Sequence, residues 1–119
     1  FSKTTDFIVW LFQHTEKYPK SERFRLARRL EDAVFNFYDL LIQAVHQKEA
    51  QIDLLRQADL ELEKLRLYMR LAFVRKLTNQ AQYHFAAAAM AEMASSESFT
   101  VIVSSLIPRA VVITFSFIH

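Results

Sequence analysis

Apolar residues recur every three or four positions along most of the chain, which is the spacing of one helix face. The first such stretch ends before Pro19, because the residue that precedes a proline resists helical geometry. The pattern predicts four helices, at residues 5–18, 22–47, 51–77 and 80–95. Helices joined by connections this short pack antiparallel, so the predicted fold class is all-α, an antiparallel four-helix bundle.

Each predicted helix carries an apolar stripe for the core and a polar side for the solvent. Thr5 and Ser21 are candidate N-caps for the first two helices, and either Thr78 or Asn79 is the candidate for the fourth. The stripe of the second helix consists of Phe24, Ala27, Leu30, Val34, Phe37, Leu41 and Ala44. The stripe of the fourth consists of Tyr83, Ala86, Ala87, Met90 and either Met93 or Ala94.

The third helix is apolar on two sides. At about 100° per residue, one face is formed by Leu55, Ala58, Leu62, Leu65, Met69, Ala72 and Phe73. The opposite face is formed by Leu60, Leu67, Leu71 and Val74. A helix with two apolar faces has more surface to bury than one neighbour covers. Either this helix is central in the bundle, or its second face is an interface with another subunit.

The character of the sequence changes after Ser95, which predicts a bundle at residues 1–95 and an atypical apolar tail at residues 96–119. The tail is rich in β-branched residues. A hairpin, a short membrane anchor and an association strand all fit it, although Pro108 and Arg109 disfavour a membrane span. A native interaction segment and an altered C-terminus both account for the change.

Composition excludes several classes of function. The chain has 119 residues, enough for one domain, and contains no glycine and no cysteine. Without glycine there is no phosphate-binding loop, dinucleotide-binding turn or nucleophile elbow. Without cysteine there is no disulfide, thiol nucleophile or cysteine-based metal site. The beginning of the chain shows no signal peptide, and we expect a cytoplasmic protein.

The remaining polar residues form no recognisable catalytic or metal-binding group. The histidines lie in separate segments, at His14, His46, His84 and His119. The Glu-x-x-His pairs that hold di-iron centres in helical bundles are absent. We therefore predict a protein that is not an enzyme and that uses no metal, no cofactor and no small-molecule substrate.

Positive charge is concentrated in two segments, although the net charge is only +2. The first cluster comprises Lys17, Lys20, Arg23, Arg25, Arg28 and Arg29, and the second comprises Lys64, Arg66, Arg70, Arg75 and Lys76. Antiparallel packing brings the beginning of the second helix beside the end of the third, so we expect the clusters to meet. Such a surface suits phosphates or an acidic protein. Solvated helix faces with local ion pairs, such as Arg28 with Asp32, are the alternative explanation.

Several segments resemble a known family. Tyr18-Pro19-Lys20-Ser21-Glu22-Arg23-Phe24 resembles the F-P-K-S-x-R-F motif of four-helix bundle proteins related to Avd, the accessory variability determinant of diversity-generating retroelements. The third helix resembles that family at Leu55, Arg56, Ala58, Asp59, Leu62, Leu65, Arg66, Arg70, Leu71 and Ala72, and Tyr83 after Thr78 fits its fourth helix. The similarity covers residues 5–93, and the family includes bundle proteins encoded in ribosomal-RNA intervening sequences. The family's usual glycine near Ala27 and its Gly-Gly-Trp ending are missing here.

The resemblance implies a homo-oligomer, a ring of five subunits, that binds the retroelement's reverse transcriptase and RNA or DNA during mutagenic cDNA synthesis. It implies no catalysis by the chain itself, and no membrane partner is expected. The expected contacts to nucleic acid or partner are Lys20, Arg23, Arg25, Arg28, Arg29, Arg66, Arg70, Arg75 and Lys76. The expected oligomer interface is Leu60, Leu67, Leu71 and Val74.

Two alternatives to this assignment stay open. Arg66 and Arg70 have a rival role as salt-bridge partners of Asp59 and Glu63 on the same helix. The whole chain has a rival function as a purely structural or protein-interaction bundle that does not bind nucleic acid.

Overall fold

The structure, a computed structural model, describes residues 2–98 and 101–102. Its four α-helices are α1 (Ser2–Thr15), α2 (Arg28–His46), α3 (Gln51–Val74) and α4 (Gln80–Glu92). Short 3-10 turns lie at Lys20–Glu22 and Lys48–Ala50, and π-helical turns lie at Arg23–Ala27 and Met93–Glu97. The prediction of an all-α four-helix bundle is confirmed over these residues.

The helices pack antiparallel around a common core. α2 and α3 share the most extensive interface, α4 packs on α3, and α1 packs on both α2 and α4. The side-chain amide of Gln51, at the beginning of α3, donates to the carbonyl oxygen of Ala44 near the end of α2, at 2.9 Å. The ammonium of Lys3, near the beginning of α1, lies 3.1 Å from the carboxylate of Glu92 at the end of α4. These two contacts join opposite ends of neighbouring helices, as antiparallel packing requires.

The core draws apolar side chains from every helix. Its largest fully buried side chains include Leu11, Leu30, Phe37, Leu41, Leu62, Leu65, Met69 and Met90. Burial of one such leucine or phenylalanine contributes about 1.5–3 kcal/mol, so this core is the main source of stability.

α3 ends in a Schellman motif made without glycine. The amide of Leu77 donates to the carbonyl oxygen of Ala72, and the amide of Lys76 donates to that of Phe73, which are the two hydrogen bonds of this motif. Lys76 has a φ of 63°, a left-handed conformation that a residue with a Cβ adopts only at a cost. α3 therefore stops at Val74 rather than at the predicted residue 77.

The helix caps agree with the prediction only in α4. The side chain of Asn79 accepts from the amide of Gln82, and the side chain of Gln82 accepts from the amide of Asn79, so the two form a capping box. Thr5 lies inside α1, which already begins at Ser2. Ser21 lies in the 3-10 turn, and α2 follows the π-helical turn without a side-chain cap, because continuous helical turns leave fewer amides unbonded there.

Phe24 does not join the core stripe in which the periodicity places it. Phe24 is 73% exposed, the largest exposed fraction of any large apolar residue in the described ranges. The π-helical turn Arg23–Ala27 is the physical reason: its hydrogen bonds run from residue i to i+5, which shifts the phase of the residues before α2. Leu26 and Ala27 are buried at this level instead.

Smaller departures concern α3 and α4. The core-facing leucine at the beginning of α3 is Leu54, whereas the predicted Leu55 is half-buried. Phe73 is exposed at the edge of the core, where its ring stacks on Tyr83 with 4.9 Å between ring centres. Ala87 faces the solvent. In each case the buried stripe lies slightly to one side of its predicted position, because the neighbouring helix decides which edge is covered.

The packed core continues beyond residue 95. Val101 is a fully buried member of it. The rest of the predicted tail, residues 99–100 and 103–119, lies outside the described residues. Among the described helices, none combines the length and apolar character that crossing a membrane requires.

Candidate nucleic-acid interface

A buried glutamate joins the turn before α2 to the end of α3. Glu22 follows Pro19, to whose carbonyl oxygen its amide donates at 2.9 Å, and its side chain is only 5% exposed. The carboxylate accepts a hydrogen bond from the guanidinium of Arg75 and lies 3.8 Å from that of Arg25. Residues of the two basic clusters therefore meet at this end of the bundle, with an acid between them.

An open groove of about 430 Å³ lies beside this ion pair. We call it the arginine groove; it is lined by Glu22, Phe24, Arg25, Leu26, Arg29, Tyr68, Leu71 and Arg75. The guanidinium of Arg29 lies over the ring of Tyr68, 6.0 Å from the ring centre, in a cation–π contact. Three arginines and one glutamate leave the groove a net positive charge. A guanidinium has more N–H donors than one carboxylate uses, so the groove keeps donors for an anion.

Arg66 and Arg70 face a different groove. This α3–α4 groove has a volume of about 360 Å³ and is lined by Glu63, Arg66, Leu67, Arg70, Tyr83, Ala87 and Met90. Arg66 donates a hydrogen bond to Glu63, as its rival assignment expects. Within the described ranges, Arg70 forms no salt bridge with a carboxylate. The arginines near the end of α3 are thus divided between two grooves.

The second apolar face of α3 is exposed and runs between these grooves. We call it the outer ridge; its side chains are Leu60, Leu67, Leu71 and Val74, which are 57%, 54%, 43% and 67% exposed. Leu71 also lines the arginine groove, and Leu67 also lines the α3–α4 groove. The idea that α3 is central in the bundle is therefore wrong, since this face lies outside. That a second subunit covers it stays a prediction.

The other predicted contacts are also on the surface. Lys20, Arg23, Arg28 and Lys76 are all exposed. Arg28 lies 3.9 Å from the carboxylate of Asp32 one turn later in α2. In the part of the chain that the structure describes, Lys20, Arg23 and Lys76 have no salt-bridge partner. Their role in binding stays a prediction.

The periodicity did not reveal a buried polar network between the end of α1 and the turn after α3. The hydroxyl oxygen of Thr78 lies 2.7 Å from Nε2 of His14 and 2.8 Å from the hydroxyl oxygen of Tyr18, which is itself 3.1 Å from Nε2. We assign Tyr18 as donor to Thr78, and Thr78 as donor to an unprotonated Nε2. The indole of Trp10 stacks on the imidazole of His14 with 4.8 Å between ring centres.

Burial keeps this network uncharged. It lowers the pKa of the His14 imidazole, and the charge of Lys17 lowers that pKa further. Burial raises the pKa of the Tyr18 phenol, the hydrogen bond with Thr78 opposes this rise, and the charge of Glu22 adds to it. The spacing of His14 and Tyr18 was a signal in the sequence, but their distant partner was not. The network holds α1 to the turn between α3 and α4.

Metal ligands do not gather in the described structure. Residues 2–98 and 101–102 contain no group of three or more histidine, aspartate or glutamate side chains that would hold a metal ion.

Comparison with known proteins adds a family to this description. A model of the bAvd-like family matches residues 1–95, which include all of α1–α4. No curated protein and no solved structure matches the chain. Both grooves and the outer ridge lie within the matched residues.

Proposed function

This chain belongs to the bAvd-like family, and on that premise we propose that it is an accessory protein of a diversity-generating retroelement. It binds the element's reverse transcriptase and its template RNA or DNA, and in this way supports mutagenic cDNA synthesis. It performs no catalysis of its own. The contacts are made through its exposed basic side chains.

The proposal that the chain binds nucleic acid is supported by one observation above all. Arg25, Arg29 and Arg75 lie together in the arginine groove. A guanidinium presents a planar fork of donors that matches a phosphate in two-point contacts, which a lysine does not offer. Arginines from two helical regions at one groove give a strand of phosphates several contacts at once. Contacts of this kind release counterions, so the binding they produce weakens steeply with salt.

The outer ridge supports assembly into a ring, for which the family suggests five subunits. Large apolar side chains in a row on one helix face are unusual on a monomer and mark interaction surfaces. The ridge offers Leu60, Leu67 and Val74, each more than half exposed. A repeated contact that uses this ridge buries it without changing the fold of any subunit.

A second function is favoured by the ion pairs of the predicted contact residues. Carboxylates already lie beside Arg25, Arg28, Arg66 and Arg75. Arginines that are neutralised within the molecule fit a purely structural or protein-interaction bundle that does not bind nucleic acid.

Fluorescence anisotropy with labelled RNA and DNA, at increasing salt, separates the two functions. Nucleic-acid binding requires a dissociation constant that rises steeply with salt, and Arg29→Gln is expected to weaken binding and reduce the salt slope by about one. Arg56→Gln is the charge-matched control, because Arg56 lies outside both grooves, beside Asp59. Absence of binding at low salt would support the protein-interaction bundle.

The polymerase contact needs its own test. A tagged reverse transcriptase from the same retroelement is expected to retain this chain on an affinity resin after nuclease treatment. Retention that disappears with the nuclease would mean that nucleic acid alone connects the two proteins, which would contradict direct binding.

A further inference from the structure

Phe24 is exposed for a structural reason rather than by chance. The residue is 73% exposed, although burial of an aromatic ring is favourable. The π-helical turn Arg23–Ala27 directs Leu26 and Ala27 inward, so Phe24 rejoins the core only if that turn changes. Turns of this type are rare within helices and occur frequently at functional sites.

The residues around Phe24 include three arginines, and the other aromatic ring among them, that of Tyr68, is already covered by one of these arginines. Phe24 lines the arginine groove with Arg25, Arg29 and Arg75. The ring of Tyr68 in the same groove is covered by the guanidinium of Arg29. Within the described residues, no aromatic ring stacks on Phe24. The groove therefore combines donors for phosphates with one uncovered aromatic face.

We propose that the arginine groove binds nucleic acid as a single strand, with a base of the strand stacked on the ring of Phe24. This inference rests on the proposed function and specifies the form of its ligand. Proteins that bind single strands combine a positive groove for the backbone with aromatic rings on which bases stack. The phosphates lie along Arg25, Arg29 and Arg75, and the base lies on the ring.

A duplex gains little from this arrangement. Its bases are paired and stacked on one another, so it presents phosphates and groove edges to a protein surface. The arginines can bind the phosphates of a single strand or of a duplex. The uncovered ring can stack only on an unpaired base, which a single strand has. Stacking involves the face that every base has, so the groove is expected to show little preference for sequence.

The test uses anisotropy of a fluorescein-labelled oligouridine strand, the same strand with abasic positions, and an RNA duplex of equal length, each titrated with the full chain. The strand is expected to bind more tightly than the duplex or the abasic strand. Phe24→Leu is expected to weaken strand binding about tenfold with the salt slope unchanged, and Phe24→Trp to restore it. Phe35→Leu is the control, since Phe35 is partly exposed on α2 outside the groove.

The outcomes distinguish this inference from the function on which it rests. If neither strand nor duplex binds, the nucleic-acid function fails, and the inference fails with it. If both bind equally and Phe24→Leu changes nothing, the function stands and the stacking inference is overturned. A loss of light-scattering mass in Phe24→Leu that parallels the loss of binding would also overturn it, by making Phe24 a subunit contact. The inference would also be overturned if polyglutamate displaced the strand from the unsubstituted protein but bound less tightly to Phe24→Leu. That result would assign the groove to an acidic protein segment.

Discussion

The carboxylate of Glu22 is buried against the guanidinium groups of Arg25 and Arg75 and holds the turn before α2 to the end of α3. Glu22→Gln keeps the shape of this side chain and removes its charge. We expect the free energy of unfolding to fall by about 1–2 kcal/mol, because the charged hydrogen bond is lost at a site where one partner is half exposed. Affinity for nucleic acid is expected to rise, because the arginine groove becomes more positive. Urea unfolding and anisotropy measure the two effects.

Asp32→Asn is the matched control for Glu22→Gln. It also removes one acid, but from an exposed pair with Arg28 in which the two groups are 3.9 Å apart. Exposed pairs of this kind contribute little to stability, so unfolding is expected to be nearly unchanged. If Glu22→Gln behaved in the same way as Asp32→Asn, the buried ion pair would have no part in holding the turn.

His14 predicts how stability depends on pH. Its pKa is lowered in the folded protein by burial and by the charge of Lys17, whereas in the unfolded chain a histidine has a pKa of about 6.5. Below that pH the unfolded chain binds more protons than the folded one, so the free energy of unfolding falls as the pH drops toward the lower pKa of the folded state. Urea titrations between neutral and mildly acidic pH measure this slope.

His14→Gln is expected to flatten the pH dependence and to be less stable than the unsubstituted protein at neutral pH, because the hydrogen bond with Thr78 is changed. His84→Gln is the control, since His84 is exposed on α4, and its slope is expected to match that of the unsubstituted protein. Equal slopes in all three proteins would show that His14 is not the group that titrates.

Among the elements of the fold, the end of α3 is the place where a single substitution is expected to increase stability. Lys76 occupies the left-handed position of the Schellman motif, with a φ of 63°. Lys76→Gly removes the contact between the Cβ and the backbone, so the free energy of unfolding is expected to rise by about 1 kcal/mol. The midpoint of urea unfolding measures this change.

Lys64→Gly tests whether that gain belongs to the position rather than to the substitution. Lys64 is exposed in the middle of α3, where glycine is expected to lower the free energy of unfolding by about 1 kcal/mol. The two variants lose the same charge, one after the end of α3 and one inside it, and their free energies of unfolding are expected to change in opposite directions. A fall in stability for Lys76→Gly would show that the left-handed residue is not strained.

Periodicity was sufficient to predict that four helices exist, because each must cover a common core with one apolar stripe. It did not predict where they end. The end of α3 depends on a lysine in a position that glycine usually marks, and the chain contains no glycine to mark it. The exposure of Phe24 depends on a π-helical turn, and a pattern of period 3.6 assumes that no such turn occurs.

For the whole molecule, the outer ridge predicts assembly. Light scattering is expected to give a mass above the 14.0 kDa of one chain, and five times that mass if the ring suggested by the family forms. Leu67→Asp places a charge at the centre of the ridge and is expected to reduce the mass to that of one chain with helicity retained, because an unpaired charge is not tolerated in an apolar contact.

Val9→Asp is the control for the assembly, because Val9 and Leu67 are both 54% exposed but lie on α1 and α3. Its mass is expected to stay that of the assembly. Dissociation by both variants would mean that the contact is not confined to the ridge, and a single-chain mass for the unsubstituted protein would contradict assembly through this surface.

The candidate site was only partly predictable from the sequence, because the positions of its side chains depend on how the helices pack together. Antiparallel packing was enough to place Arg25 and Arg29 near Arg75, because it fixes which helix ends are neighbours. It was not enough to place Arg66, which turns toward α4 and pairs with Glu63. The burial of Glu22 depends on how the turn after Pro19 packs, and no local pattern encodes that packing.

Leu71 belongs to both the outer ridge and the arginine groove. A side chain shared by two surfaces cannot be covered at one of them without a change at the other. If subunits associate through the ridge and a strand binds in the groove, as proposed, the two events belong to one thermodynamic cycle, in which each shifts the free energy of the other by the same amount. A strand that favours the associated form lowers the protein concentration at which subunits join, and a strand that competes for Leu71 raises it. If both proposals hold, the amount of nucleic acid present is expected to change how many copies of the chain associate, and Leu71 is the side chain at which the two events meet.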